Sequence, residues 1–390
     1  MSERNGKGRS NGHAPANLLK LTRPNGSHAV ANGRNKPVLI TGGAGFVGTN
    51  LAHRLLEDGR RVLLLDNLSR AGVEENLRWL KQTYGERVQL AAVDVRNFPA
   101  VLDAVSRASQ VFHFAAQVAV TTSLVDPIHD FDINARGTLN ILEAIRSQKQ
   151  PPPLVFTSTN KVYGGLEDIV MRKAATRYEP ADTEVRRHGI GEARPLDFHS
   201  PYGCSKGAAD QYVRDYARSY GLPAIVFRMS CIYGPHQFGN EDQGWVAHFL
   251  IRAIQGQPIT LYGDGLQVRD VLFVEDLVDA LLLAQTNMDA LAGQVFNIGG
   301  GAANTTSLLE LLNVIERLHG RSVVEFEDWR VGDQRYYVSD TRRFQQAAGW
   351  SPRVTVTEGI ERLYAWLNES RRSLPARLIA RRTATMSQQY

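Results

Sequence analysis

The sequence predicts a doubly wound α/β fold: a parallel sheet of Rossmann type joined to a smaller C-terminal substrate-binding lobe. Two observations carry that expectation. From Pro37 onward, short apolar runs alternate with amphipathic stretches, at Val38–Thr41, Val62–Asp66, Leu90–Asp94, Val111–Ala115 and Leu154–Ser158. Runs so short and apolar suit strands buried on both faces, and the helical stretches between them provide the crossovers that parallel strands require. The second is the glycine-rich stretch Thr41-Gly-Gly-Ala-Gly-Phe-Val-Gly48, which follows the first run directly and leads into a helix over 46–57. Strand, glycine turn and helix in that order open a βαβ unit.

Taken in chain order, each element has a chemical reading. Gly42 permits the tight turn, Gly45 lets backbone amides approach a pyrophosphate at the helix N-terminus, and Gly48 lets the helix pack closely on the sheet, with Phe46 and Val47 beside the same group. The second run ends at Asp66, eighteen residues beyond Gly48, followed by Asn67. A carboxylate there accepts hydrogen bonds from the adenine ribose and repels a 2′-phosphate, which favours NAD over NADP. Asp94 and Val95, closing the third run, border the adenine, and Ala115 closes the fourth. Pro151 to Pro153 fall before the fifth strand, where missing N–H donors do no harm. Residues 165–198 are polar and lack apolar periodicity, as in a long insertion. Later strands at Ala224–Arg228, Ile259–Tyr262 and Val295–Ile298, with helices near 243–254, 275–284 and 306–318, divide between the sheet and the lobe. The expected organisation is therefore a basic N-terminal tail over 1–36, a mainly NAD-binding domain over 37–235, a mainly nucleotide-sugar-binding lobe over 236–368 with elements returning to the sheet, and a basic tail over 369–390.

Charge excludes more than it assigns. The net charge is +5, yet residues 1–36 carry +6 and residues 370–390 carry +5, so the body between them is acidic at −6. Neither tail interleaves aromatics with its basic residues, so no nucleic-acid partner is expected. No run of eighteen apolar residues occurs and the first thirty lack a signal-peptide core, which points to a cytoplasmic protein with no membrane partner. Two cysteines, Cys204 and Cys231, are too few for a disulfide framework and lack metal-ligand spacing, so two buried or half-buried thiols and no metal are expected.

The stretch Ser200-Pro201-Tyr202-Gly-Cys-Ser-Lys206 reads as a helix start, with serine at the N-cap and proline in the first turn. Tyr202 and Lys206, four apart, share one face and can act on one ligand. A free phenol titrates near about 10, and a neighbouring ammonium together with the cationic nicotinamide favours its ionised form, making Tyr202 a usable base near neutrality.

The Tyr-x-x-x-Lys spacing, the Gly-x-x-Gly-x-x-Gly turn and Thr159 at the end of the fifth strand resemble the extended short-chain dehydrogenase/reductase superfamily. Within it, Gln117-Val-Ala-Val-Thr-Thr-Ser123, Thr157-Ser-Thr-Asn-Lys-Val-Tyr-Gly164, His199 to Gln211 and Gln267-Val-Arg-Asp-Val271 are similar to the CDP-tyvelose 2-epimerase (CDP-paratose 2-epimerase) branch, across about residues 37–368. The resemblance implies tightly bound NAD and Thr159, Tyr202 and Lys206 as the catalytic group. Thr159 hydrogen-bonds the reacting sugar oxygen, Tyr202 takes the hydroxyl proton as hydride passes to NAD, and Lys206 holds the nicotinamide ribose. The hydride then returns to the other face of the keto sugar, inverting C2 of a CDP-hexose. Sugar 4,6-dehydratases of this superfamily carry an Asp-Glu pair after that threonine, whereas this chain has Asn160-Lys161 and so lacks the acid and base for elimination. Arg269 and Arg335 match positions that meet the nucleotide diphosphate, and Gln117, Asn160 and His199 complete the expected substrate set. A homodimer or homotetramer built through Rossmann helices is also implied.

Two alternatives stay open on the sequence. One is a 4-epimerase of a UDP-, GDP- or CDP-sugar, since spacing does not say which carbon faces the nicotinamide. The other is a non-catalytic NAD-binding sensor or scaffold, which would have no use for Thr159, Tyr202 and Lys206 together.

Overall fold

The computed structural model describes residues 36–330 and 332–373; the basic tails expected at either end lie almost wholly outside the described residues. Seven parallel strands form the central sheet: β1 (Val38–Thr41), β2 (Val62–Leu65), β3 (Val88–Ala91), β4 (Gln110–His113), β5 (Leu154–Thr159), β6 (Ala224–Met229) and β7 (Val295–Ile298). Their order across the sheet is β7-β6-β5-β4-β1-β2-β3. β1 pairs on one side with β2 and on the other with β4, Val38 facing both Val62 and Gln110. Strand order therefore reverses at β1 and β4, which opens a crevice at their carboxyl ends.

The alternation of side chains along each strand separates two apolar cores. Val38, Ile40, Val62, Leu64, Phe112, Val155, Ile225, Phe227, Phe296 and Ile298 face one layer, which includes Leu51, Leu55 and Leu56 of the Phe46–Glu57 helix and Leu277 and Leu281 of the Val274–Thr286 helix. Leu39, Leu63, Leu65, Val111, Leu154, Phe156, Val226 and Val295 face the other, against the Phe98–Ser106, Gly137–Arg146 and Ser200–Tyr220 helices. Each such leucine or phenylalanine contributes roughly 1.5–3 kcal/mol by leaving water, so the strands that hold the crevice are its most deeply anchored parts. His113 lies within this sheet, its ring nitrogens 2.6 Å from Thr41 Oγ1 and 3.0 Å from Thr138 Oγ1; burial pushes its pKa down to about 3, so it is a neutral bracket between β4, β1 and a helix.

The smaller lobe has its own core, in which the Trp245–Ile254 and Leu308–His319 helices and the C-terminal Val356–Ser373 helix pack on strands Ile259–Tyr262 and Val268–Phe273. Ile259–Tyr262 pairs with Val324–Glu327 rather than with the central sheet, whereas β6 and β7 complete that sheet. Ser307 and Glu310 form a reciprocal capping box on the Leu308–His319 helix.

Several sequence expectations need correction. The third strand ends at Ala91, so Asp94 and Val95 lie in the turn beyond it, where Val93 N donates to Ala91 O and breaks the ladder. Ser200 is the first helical residue rather than the cap, with a φ of 63°, although its hydroxyl still accepts from Gly203 N at 3.3 Å as a capping serine would. The 165–198 stretch contains a hairpin, Met171–Lys173 with Tyr178–Pro180, and a helix, Thr183–His188; Leu166 and Ile190 bury against Tyr163 and Tyr337. Cys204 is exposed; only Cys231 is half-buried. Among the described residues, no helix is long and apolar enough to cross a membrane, and no group of three or more His, Cys, Asp or Glu side chains could hold a metal ion.

Candidate active site

A cleft of about 950 Å3 runs from the carboxyl ends of β1, β2 and β4 to the smaller lobe. That is the upper end of the range of about 300–1,000 Å3 usual for one small ligand. Of the expected cofactor residues, Gly42, Gly45, Phe46, Val47, Gly48, Asp66, Asn67, Asp94, Val95, Ala115, Tyr202 and Lys206 all line it.

The glycine turn fits a dinucleotide. A Cβ on Gly48 would stand 2.4 Å from the Gly42 carbonyl oxygen, and one on Gly42 would stand 2.8 Å from Ala115 N, so helix, turn and the loop after β4 touch through backbone alone. A Cβ on Gly45 would meet only Gly42 O, at 3.1 Å, leaving the cleft side open for a phosphate beside the helix N-terminus. Asp66 sits beneath, accepting from Ala44 N at 3.0 Å and Leu68 N at 2.9 Å; burial raises its pKa and those amides pull it back. Each carboxylate oxygen retains a lone pair for a ribose hydroxyl. Asp94 is fixed by Arg96 Nε at 2.8 Å and Asn67 Nδ2 at 2.9 Å; the bond from Arg96 is the main reason its pKa falls to about 2. NAD would therefore be held by the glycine turn, Asp66 and the Asp94 loop.

Thr159 ends β5 and Tyr202 and Lys206 rise beside it from the Ser200–Tyr220 helix, all three buried in the cleft wall. Tyr202 N donates to Ser123 Oγ at 3.2 Å, fixing the first turn of the helix. Behind it, Ser205 donates to Asp130, and Asn134 Nδ2 reaches Asp130 Oδ1 and Ser205 Oγ, both at 3.1 Å. Lys206 Nζ donates to Thr157 O at 2.7 Å and lies over the Phe156 ring; burial lowers its pKa to about 8 against the raising effect of Asp210 and Asp130. Tyr202 itself is pushed up to about 12, by burial first and by the Asp130 charge, while the Thr159 hydroxyl and Arg70 pull the other way. The expected ionisation near neutrality is thus not a property of these side chains alone, because Lys206 serves the Thr157 carbonyl and not the phenol.

The far end of the cleft contains Gln117, Asn160, Lys161 and Arg269. Asn160 Oδ1 accepts from Thr159 Oγ1 at 3.3 Å. Lys161 Nζ lies 3.4 Å from both Gly332 O and Gln334 Oε1, its pKa lowered to about 8 by burial and then by Arg269. Arg269 donates to Val268 O at 2.9 Å and to Asp333 Oδ1 at 2.6 Å, which leaves further guanidinium N–H groups for an anion. Gln117 folds back on its own loop through Ala119.

Two expected substrate residues do not reach the cleft. Arg335 is exposed beside Tyr178 and Trp329, and His199 is exposed and paired with Asp197 at 2.9 Å. Arg330, five residues before Arg335, lines the cleft, stacked 3.7 Å from the Tyr262 ring centroid and donating to Glu241 O at 3.0 Å. The sequence reading also missed Arg70, Ser158, Gln237, Tyr262 and Gln267 in the cleft wall. Ser158 Oγ and the amide oxygens of Gln237 and Gln267 are buried and have no partner among the described residues, a capacity that a polyhydroxylated ligand suits. No periodic pattern marks these positions in the sequence.

Comparison with known proteins agrees with this geometry. Residues 38–299 match the NAD dependent epimerase/dehydratase family. The chain is 43% identical over 338 residues to CDP-paratose 2-epimerase of Salmonella typhi, covering 84% of this chain and 98% of that protein. It is 30% identical over 338 residues to a putative UDP-glucose 4-epimerase of Methanocaldococcus jannaschii, covering 86% of this chain and all of the relative. Among solved structures, UDP-glucose 4-epimerase of Thermus thermophilus in complex with NAD superposes with a TM-score of 0.71 at 33% identity, over 85% of this chain and 99% of that one.

Proposed function

The chain belongs to the NAD dependent epimerase/dehydratase family and is an NAD-dependent nucleotide-sugar epimerase, and from that premise we propose that it inverts C2 of a CDP-activated hexose. The observation that carries epimerisation over elimination is the pair Asn160-Lys161, set in the cleft wall directly after Thr159. A dehydratase needs a carboxylic acid and a carboxylate there, and an amide with an ammonium can hold oxygens in place but cannot perform that proton transfer. The likeness to the CDP-paratose 2-epimerase supports the choice of carbon and nucleotide.

Bound NAD supplies the hydride acceptor and, once reduced, the donor. Thr159 Oγ1 orients the reacting sugar oxygen, and Tyr202 Oη takes its proton and later returns it. Lys206 holds the cofactor ribose, while Arg269 and Arg330 grip the substrate diphosphate through forked N–H pairs. Incubation with CDP-, UDP- and GDP-hexoses in deuterated water, followed by NMR, tests the reading. Inversion at C2 of the CDP-sugar without deuterium entering the ring is expected. Inversion at C4 with C2 untouched would replace it with the 4-epimerase, and deuterium at the inverted carbon would replace hydride return with deprotonation chemistry.

The expected homo-oligomer is supported by Leu124, Val125, Ile128 and Phe131, four large apolar side chains between 51% and 86% exposed on adjoining short helices. These helices pack on the Ser200–Tyr220 helix, and a second copy is the proposed cover. Light scattering of the purified protein should give at least twice the 43.3 kDa chain mass; a monomer would remove this part of the proposal.

A further inference from the structure

We propose that Arg70 and Gln243, with Asn76 behind them, are positioning residues that strap the 235–244 segment across the cofactor end of the cleft and hold the reduced dinucleotide in place between the two halves of the reaction. This rests on the epimerase reading, because a reaction that reverses its own redox step depends on the cofactor staying until the sugar has turned.

By chain connectivity the segment belongs to the substrate side, running from strand Cys231–Tyr233 to the Trp245–Ile254 helix. Tyr262 and Arg330 of the smaller lobe hold its Glu241 and Asp242, and three further fastenings cross to the cofactor side. Asn50, in the helix after the glycine turn, donates through Nδ2 to Phe46 O and Pro235 O, both at 2.9 Å. Asn76, 2% exposed, donates to Ala44 O of the glycine turn at 3.1 Å and to His236 O at 3.2 Å, and its Oδ1 lies 3.2 Å from His236 Nδ1. Arg70, in the loop after β2, closes the third link by donating Nη2 to Gln243 Oε1.

The segment's conformation depends on those links. His236 has a φ of 66°, a region rare for residues other than glycine, and its ring sits between Trp79 at 4.2 Å and Trp366 at 5.1 Å. Phe238 lies against Gly72 so closely that a Cβ there would be 2.3 Å from its ring. Arg70 is exposed yet lines the same cleft as Gly45, Phe46 and Asp66, as does the half-buried Gln243, so the two meet at the rim between the cofactor groove and solvent. A charge-assisted contact at that rim opposes departure of whatever lies beneath without touching the reacting carbon.

The test follows NADH fluorescence as NADH-loaded protein is diluted, comparing wild type with Arg70→Ala and Gln243→Ala. Both variants change rim side chains that no core depends on. Each should release NADH on the order of 10- to 100-fold faster, the factor that loss of one charged hydrogen bond brings. The double variant should be no faster than either alone, since both remove one contact, and Gln243→Glu should restore slow release. During turnover of the sugar, the single variants should lose activity progressively, with NADH appearing in the filtrate, and added NAD should restore it. Equal release from wild type and variants would overturn the strap, as would fast release from Arg70→Ala not shared by Gln243→Ala. The dilution measurement needs no sugar, so a wild-type protein that converts none would count against the epimerase reading and leave the strap judged separately.

Discussion

Tyr202→Phe is expected to lower kcat by about 10³-fold while bound NAD and the fold remain. A positioned general acid–base typically supplies about 10²–10⁴-fold, and Tyr262, the other phenol lining the cleft among the described residues, donates its hydroxyl to Glu241. Phenylalanine preserves the packing of a ring that is 8% exposed, and Lys206 keeps its bond to Thr157 O. Thr159 cannot substitute as the base, because an aliphatic hydroxyl ionises far less readily than a phenol. The pH dependence has a definite sign. The base acts in its ionised form, so the parent's kcat should fall as pH drops below the phenol's pKa in the ternary complex and level off above it. Burial holds that phenol up to about 12 in the protein alone, so the cationic nicotinamide has to bring it down; removing NAD should raise the phenol's titration, read by ultraviolet difference absorbance. A Phe variant turning over within about tenfold of the parent, or keeping the parent's pH profile, would remove Tyr202 from the chemistry.

How far the site was legible in the sequence depended on whether a residue's role is local. The glycine turn, Asp66, Tyr202 and Lys206 sit at fixed offsets from strand ends or along one helix, so spacing pointed to them and the family resemblance added Thr159; all line one cleft. The apolar runs likewise located the strands, because alternation between two buried faces leaves a continuous hydrophobic signature. The smaller lobe offered no such rule. Arg330 enters the cleft and Arg335 leaves it because the chain turns between them at Gly332, with a φ of 74°, and pairs with strand Val268–Phe273 at Tyr336–Tyr337. Arg70 and Gln243 meet at the cleft rim through a contact between segments 173 residues apart, which no local pattern encodes. His199 was placed by its neighbourhood in a motif, yet it lies before the helix, where Asp197 holds it in solvent.

Asp210→Ala is expected to cost about 3–5 kcal/mol of stability, the usual result of stranding one partner of a buried ion pair. Arg228 on β6 and Asp210 on the Ser200–Tyr220 helix have side chains 3% and 0% exposed, joined by Nε to Oδ2 at 2.8 Å and Nη2 to Oδ1 at 3.0 Å. Burial alone would lower the guanidinium's pKa, and the Asp210 carboxylate more than offsets it, so Arg228 remains charged. Its third branch donates to Tyr163 Oη at 3.0 Å, which donates in turn to Asn297 Oδ1 at 2.8 Å, and Asn297 Nδ2 reaches Ile190 O at 2.8 Å. One network thus ties the helix bearing Tyr202 and Lys206 to β6, to the turn after β5, to β7 and to the 165–198 insertion. Asp210 also lies one helical turn beyond Lys206 and keeps that ammonium's pKa from falling further. Asp210→Ala should therefore lower the urea midpoint and reduce cofactor retention together. Replacing both partners, as Asp210→Leu with Arg228→Met, should cost less than Asp210→Ala alone, because no charge is left buried. A loss below about 1 kcal/mol in Asp210→Ala would mean that water reaches Arg228 and that the helix is held by its apolar face instead.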